Sequence, residues 1–129
     1  MSDYLEALNP EQDDSVRHFE GPILVLAGAG SGKTRVLTAR IAHLVREHGV
    51  PPHRILAVTF TNKAAGEMRE RIESYLVVEP KGMWMGTFLG LGARILRRHA
   101  PRLGWSNAFT IFDAEQSLRL IKQTTESLG

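Results

Sequence analysis

The sequence predicts an α/β fold in which a parallel sheet is flanked by helices. Short apolar runs rich in branched residues alternate along the chain with stretches of helical periodicity, and each run ends in small or hydroxyl residues where a helix begins. The runs are Ile23-Leu24-Val25-Leu26, Ile55-Leu56-Ala57-Val58-Thr59-Phe60 and Met83-Trp84-Met85-Gly86-Thr87. Right-handed crossovers bring the C-terminal ends of such strands to one edge, where open α/β sheets bind their ligands.

Taken in order, Asn9-Pro10-Glu11-Gln12 opens the first helix, with asparagine as N-cap, proline at the first helical position and glutamine three residues after the cap. That helix should run to about Phe19, and Gly21-Pro22 breaks the chain before the first apolar run. Residues 35–47 take a helical pattern with Leu37, Ile41, Leu44 and Val45 on one face, leaving Arg40, Arg46 and Glu47 for solvent. Gly49-Val50-Pro51-Pro52 stops it. After the second run, Thr61 or Asn62 caps a helix that turns Ala65, Met68, Ile72 and Leu76 inward and Lys63, Glu67, Arg69, Glu70, Arg71 and Glu73 outward.

Residues 78–82 form a loop and residues 83–87 a third strand. Helical periodicity returns over residues 88–99, with Leu91, Ile95 and Leu96 inward, Arg94, Arg97 and Arg98 on the opposite side, and Pro101 beyond its end. Phe109-Thr110-Ile111-Phe112 reads as extended, and Asp113-Ala114-Glu115-Gln116 is a second capping box that opens the last helix. The capping box, rather than a cation site, accounts for the acidic pair Asp113 and Glu115.

Between the first run and its helix lies Ala27-Gly28-Ala29-Gly30-Ser31-Gly32-Lys33-Thr34. Strand, glycine loop and helix in that order make a P-loop, whose backbone N–H groups surround phosphate oxygens at a helix N-terminus. In such a loop Lys33 reaches the β- and γ-phosphates and the Thr34 hydroxyl holds Mg2+. The general pattern has glycine at position 27, and Ala27 serves there if its φ is negative. Asn62-Lys63-Ala64-Ala65 begins like a guanine-reading Asn-Lys-x-Asp, but Ala65 stands where the carboxylate is needed.

The 129 residues suffice for one core, and 43% apolar content is ordinary for a globular protein. There is no cysteine, so disulfides and thiolate metal sites are excluded. The five histidines show no metal-ligand spacing. Met1-Ser2-Asp3-Tyr4 lacks a basic leader and no apolar run is long enough to span a membrane, so a soluble, cytoplasmic protein is expected. The net charge of +2 hides an asymmetry, because the first twenty residues carry six acids against Arg17 while the remainder is strongly basic. That body favours a polyanionic partner.

Four stretches now stand in order: Leu8-Asn9-Pro10-Glu11-Gln12, the loop 27–34, Thr59-Phe60-Thr61-Asn62-Lys63-Ala64-Ala65 with Met68 and Ile72 beyond, and Gly86-Thr87-Phe88. With them the chain, from Leu8 to its end, resembles the N-terminal part of the UvrD/PcrA/Rep-like superfamily 1 DNA helicases, which use ATP to move 3' to 5' along single-stranded DNA. The resemblance implies a RecA-like sheet and an ATP site in which Gln12 reads the adenine edge, residues 27–34 bind triphosphate and Mg2+, and Arg35 lies near the base. It implies DNA contacts at Phe60, Thr61, Asn62, Lys63, Thr87 and Phe88, and hence single-stranded or partly duplex DNA as a partner. A strand-end aromatic offers a π-face to a base, although such residues also serve as core, and both roles are open for Phe60. Relatives typically read Gly-Thr-Phe-His-Ser, whereas this chain has Leu89 and Gly90 in the last two places.

The same resemblance implies that residues 1–112 begin the first RecA-like domain, 1A, and that residues 113–129 start an inserted helical domain, 1B. The second acidic motif, the groups that sense the γ-phosphate and the second RecA-like lobe have no counterpart here. A fragment of an ATP-dependent helicase is therefore expected, inactive alone and dependent on the remainder of the chain, with DNA repair as its setting. The other reading is a stand-alone nucleotide-binding or interaction module without motor activity. Because strands from later sequence are absent, the sheet should be incomplete, and open edges should let the fragment self-associate.

Overall fold

A computed structural model describes residues 3–30, 32–77 and 79–129, and divides the chain into compact units of residues 1–92 and 93–129. The first unit holds helices α1 (Pro10–Arg17), α2 (Lys33–Arg46) and α3 (Asn62–Tyr75) and strands β1 (Leu56–Thr59) and β2 (Trp84–Thr87). Helix α4 (Phe88–His99) follows β2 directly, and α5 (Ala114–Ser127) closes the second unit.

The expected parallel sheet forms between the second and third apolar runs. Leu56 stands opposite Trp84 and Thr59 opposite Thr87, and the Ile55 carbonyl accepts from the Trp84 N–H at 3.0 Å. Helix α3 packs against both strands. Its buried stripe contains Met68, Ile72 and, just past its end, Leu76, as the periodicity requires, with Ala65 half-buried. Thr61 is its cap, accepting from the Ala64 N–H at 3.1 Å.

The first apolar run departs from expectation. Residues 22–28 belong to no ladder, and Leu24 and Leu26 are 81% and 86% exposed. The physical reason is the lack of a neighbour: a strand exists only through its ladder, and among the described residues β1 and β2 pair with each other alone. Residues 109–112 likewise form no strand, and Ile111 and Phe112 are exposed.

Helix α2 is buried over a wider arc than its leucines suggested. Val36, Thr38, Ala39, Ile41, Ala42 and His43 are buried, whereas Leu37 is exposed and Leu44 and Val45 are half-buried. The arc is wide because α2 packs on α1 on one side and α3 on another. Arg40 and Arg46, expected in solvent, are half-buried. Thr38 Oγ1 donates to the Thr34 carbonyl at 2.9 Å, which satisfies its hydroxyl inside the helix. In α4, Leu91 is buried as expected, but Ile95 and Leu96 are 43% and 55% exposed.

The N-terminal segment is tied to the far end of α2 through Tyr4, which is buried against His43 and Tyr75. The Tyr4 hydroxyl lies 3.1 Å from His43 Nδ1 and 3.5 Å from Glu47 Oε1, and the Arg46 guanidinium sits over its ring at 4.8 Å. Burial pushes the Tyr4 phenol up, with Glu47 adding to the shift and Arg46 opposing it. Burial pushes His43 down, helped by His48 and Arg17 and opposed by Glu47 and Asp13. His43 is thus held neutral while the unfolded chain takes up a proton near the ordinary value of 6.5, so stability is full above that pH and is lost as pH falls below it. Urea midpoints should therefore drop between about pH 7.5 and about pH 5.5, and His43→Gln should remove much of that drop. An unchanged midpoint, or the same drop in the variant, would contradict the assignment.

Candidate functional site

Three pieces of the first unit surround one cavity of about 350 Å³: the N-cap Asn9 with Glu11, Gln12 and Ser15 of α1, residues 25–28, and Lys33 and Val36 from α2. Each piece is held locally. The α1 N-terminus is a complete capping box, with Asn9 Oδ1 accepting from the Gln12 N–H at 2.9 Å and Gln12 Oε1 accepting from the Asn9 N–H at 3.0 Å. The capping role of Gln12 therefore coexists with a place on the cavity wall.

The start of α2 is built in the opposite way. Its N-cap is Gly32 at φ +85°, which supplies no side-chain hydrogen bond, and no acid stands in the first turn. The first N–H groups of a helix have no intrahelical acceptor, and together with the helix dipole they make a site for an anion. Gly30 and Gly32 both have φ in the left-handed region, so the glycines are needed there, whereas Gly28 does not use that freedom. A Cβ on Gly32 would also come 3.1 Å from Gln12 Nε2, which places the side-chain amide of α1 directly against the loop. No described non-glycine residue has positive φ, so Ala27 meets the condition set for it. Ser31 lies outside the described residues.

Lys33 and Thr34 begin α2, and both are exposed. Arg35 is turned toward the N-terminal segment, where its Nη1 donates to the Ala7 carbonyl at 3.4 Å. Ala29 and Gly30 form the exposed turn before the helix.

The remaining singled-out residues form a second group at the C-terminal ends of the paired strands. Because β1 and β2 are in parallel register, Phe60 and Phe88 follow them side by side, with ring centroids 5.3 Å apart at 44°. Phe60 is 89% exposed and Phe88 61% exposed, so Phe60 is not core. Thr61 and Asn62 are exposed at the start of α3, and Lys63 there stands 4.0 Å from Glu67. Thr87 Oγ1 accepts from the Gly90 N–H at 3.1 Å, and a Cβ on Gly90 would meet that oxygen at 3.2 Å. Thr87 thereby caps α4 as Thr61 caps α3, a role the sequence pattern alone did not disclose. Leu89 beside it is 70% exposed.

No described helix is long and apolar enough to cross a membrane. A sequence model of the UvrD/REP helicase N-terminal domain matches residues 8–128. The chain is 50% identical over 127 residues to a protein of Staphylococcus epidermidis named ATP-dependent DNA helicase PcrA, and 47% identical over 127 residues to the protein of that name from Staphylococcus aureus. These alignments cover 98% of the chain but 17% of the length of each relative.

Proposed function

The chain belongs to the UvrD/REP helicase family, and on that premise we propose that it is the ATP-binding and single-stranded-DNA-contacting N-terminal portion of an ATP-dependent 3'–5' DNA helicase. The observation that supports this most is the shared cavity, whose walls are a glutamine-bearing helix, the glycine segment and a helix start left open to an anion. In this reading Gln12 and Arg35 take the adenine side, and the backbone of residues 27–32 with Lys33 takes the triphosphate. Thr34 would hold Mg2+, which would supply positive charge to offset that of the phosphates. The chemistry of the donors fits: N–H groups, an ammonium and a hydroxyl suit phosphate oxygens and a hard cation.

The exposed, adjacent rings of Phe60 and Phe88 support a stacking surface for bases, and in this reading Thr61, Asn62, Lys63 and Thr87 contact the strand's phosphates. Residues 1–112 are the beginning of a RecA-like domain 1A, and residues 113–129 open domain 1B. Later sequence would supply the strands that flank residues 23–26 and the groups that orient water and stabilise the transition state. The portion alone is inactive in this account, because removing such groups costs orders of magnitude in rate. The parent protein works in the cytoplasm, in DNA repair.

The full-length protein should hydrolyse ATP faster with single-stranded DNA than without it, and Lys33→Ala should reduce the rate by at least about a hundredfold. Absence of DNA stimulation, or an active Lys33→Ala variant, would contradict the function proposed. The same reading has the isolated 129-residue chain self-associate through its uncovered apolar segment. Light scattering should then report a mass above the 14.3 kDa of one chain, and a monodisperse monomer at high concentration would contradict self-association.

A further inference from the structure

We infer that Arg40 is a positioning residue for base recognition: it holds the last carbonyls of α1 and thereby sets where Gln12, at the other end of that helix, meets the nucleotide. The inference rests on the adenine-reading role proposed for Gln12. Arg40 Nη1 donates to the Ser15 carbonyl at 2.8 Å and also to the His18 carbonyl. These carbonyls lie at the C-terminal end of α1, where a helix lacks internal donors and carries its negative dipole end. A guanidinium at that point satisfies both needs.

Helix α1 has eight residues, too few to hold its own conformation or place without external contacts. Its one fully buried side chain is Val16, and apolar burial is non-directional, so it resists separation from α2 better than sliding or rotation against it. The Arg40 hydrogen bonds are directional and remove that freedom. Arg40 stands seven residues after Lys33 on the same helix, about 10 Å along its axis, so the phosphate end of α2 and the anchor of α1 belong to one rigid body. Ser15, Lys33 and Arg40 also share the lining of a hollow of about 290 Å³ beside the main cavity.

A glutamine amide can pair with both N6 and N7 of adenine, and such pairing tolerates displacement of only about 0.5 Å. Loss of Arg40 would let α1 drift and would weaken the base contacts. Phosphate contacts come from α2 and its own loop, so they would persist. Arg40 thus governs preference for adenine over another base more than affinity for the phosphate chain.

The test is competition against a fluorescent ATP analogue in the full-length protein with Mg2+, using ATP, ITP and inorganic tripolyphosphate as competitors. Hypoxanthine keeps N7 but replaces the N6 donor with an acceptor, so ITP isolates the base contact. Gln12→Ala should erase the preference for ATP, and Arg40→Met should lower it about tenfold while tripolyphosphate affinity stays within about twofold. Arg40→Lys should recover part of the preference, and adding Arg40→Met to Gln12→Ala should change nothing further. Arg40→Gln, which retains a neutral donor, replaces the methionine variant if that chain does not fold, and its expected loss of preference is smaller but in the same direction.

Equal weakening of all three competitors by the Arg40 variants would overturn the inference and leave Arg40 as a general support of the fold. So would a normal ATP preference in the Arg40 variants when Gln12→Ala has lost it. A normal preference in Gln12→Ala overturns the base-reading role and the inference together. A wild-type protein without Mg2+-dependent nucleotide binding overturns the nucleotide site itself.

Discussion

The structure depends on a helix start that has been left unsatisfied. Helices α1 and α5 begin with complete capping boxes and α3 with a threonine cap, yet α2, which lies at the centre of the first unit, begins at a left-handed glycine with no cap bond and no acid in its first turn. Omitting a cap costs about 1 kcal/mol. The omission leaves the first N–H groups of α2 without a side-chain acceptor beside Lys33, and a local rule broken in a well-packed helix is where a binding site is expected.

The rest of the first unit compensates by fastening other elements to α2. Its middle carries Arg40 to the carbonyls of α1, its far end carries His43, Arg46 and Glu47 to Tyr4, and its buried arc packs against α3. Residues 3–18 are therefore attached to the helix that follows the glycine segment. This gives a reason for the acidic, otherwise loosely patterned N-terminus to be ordered, and for Gln12 to reach the loop from a separate helix.

Much of this was legible in the sequence because its causes are local or periodic. Asn9 with Gln12 and Asp113 with Gln116 form the boxes their spacing announces, Met68 and Ile72 fall on the buried stripe, and the two apolar runs at 56 and 84 pair in parallel. What failed to show depends on partners. Residues 23–26 have the composition of a strand, but composition cannot supply the neighbouring backbone that a ladder needs. Arg40 and Arg46 read as solvent residues because long cationic side chains bury their stems and send their heads to acceptors on other elements.

The central claim is that α1 and the glycine loop form one nucleotide site through α2. Amide hydrogen exchange of the full-length protein tests it most directly, comparing Mg2+ with a non-hydrolysable ATP analogue against Mg2+ with tripolyphosphate. The account predicts slowed exchange over residues 28–34 with either ligand, and slowed exchange in α1 with the nucleotide alone. Unchanged exchange at 28–34, or an α1 indifferent to the nucleotide, would contradict it.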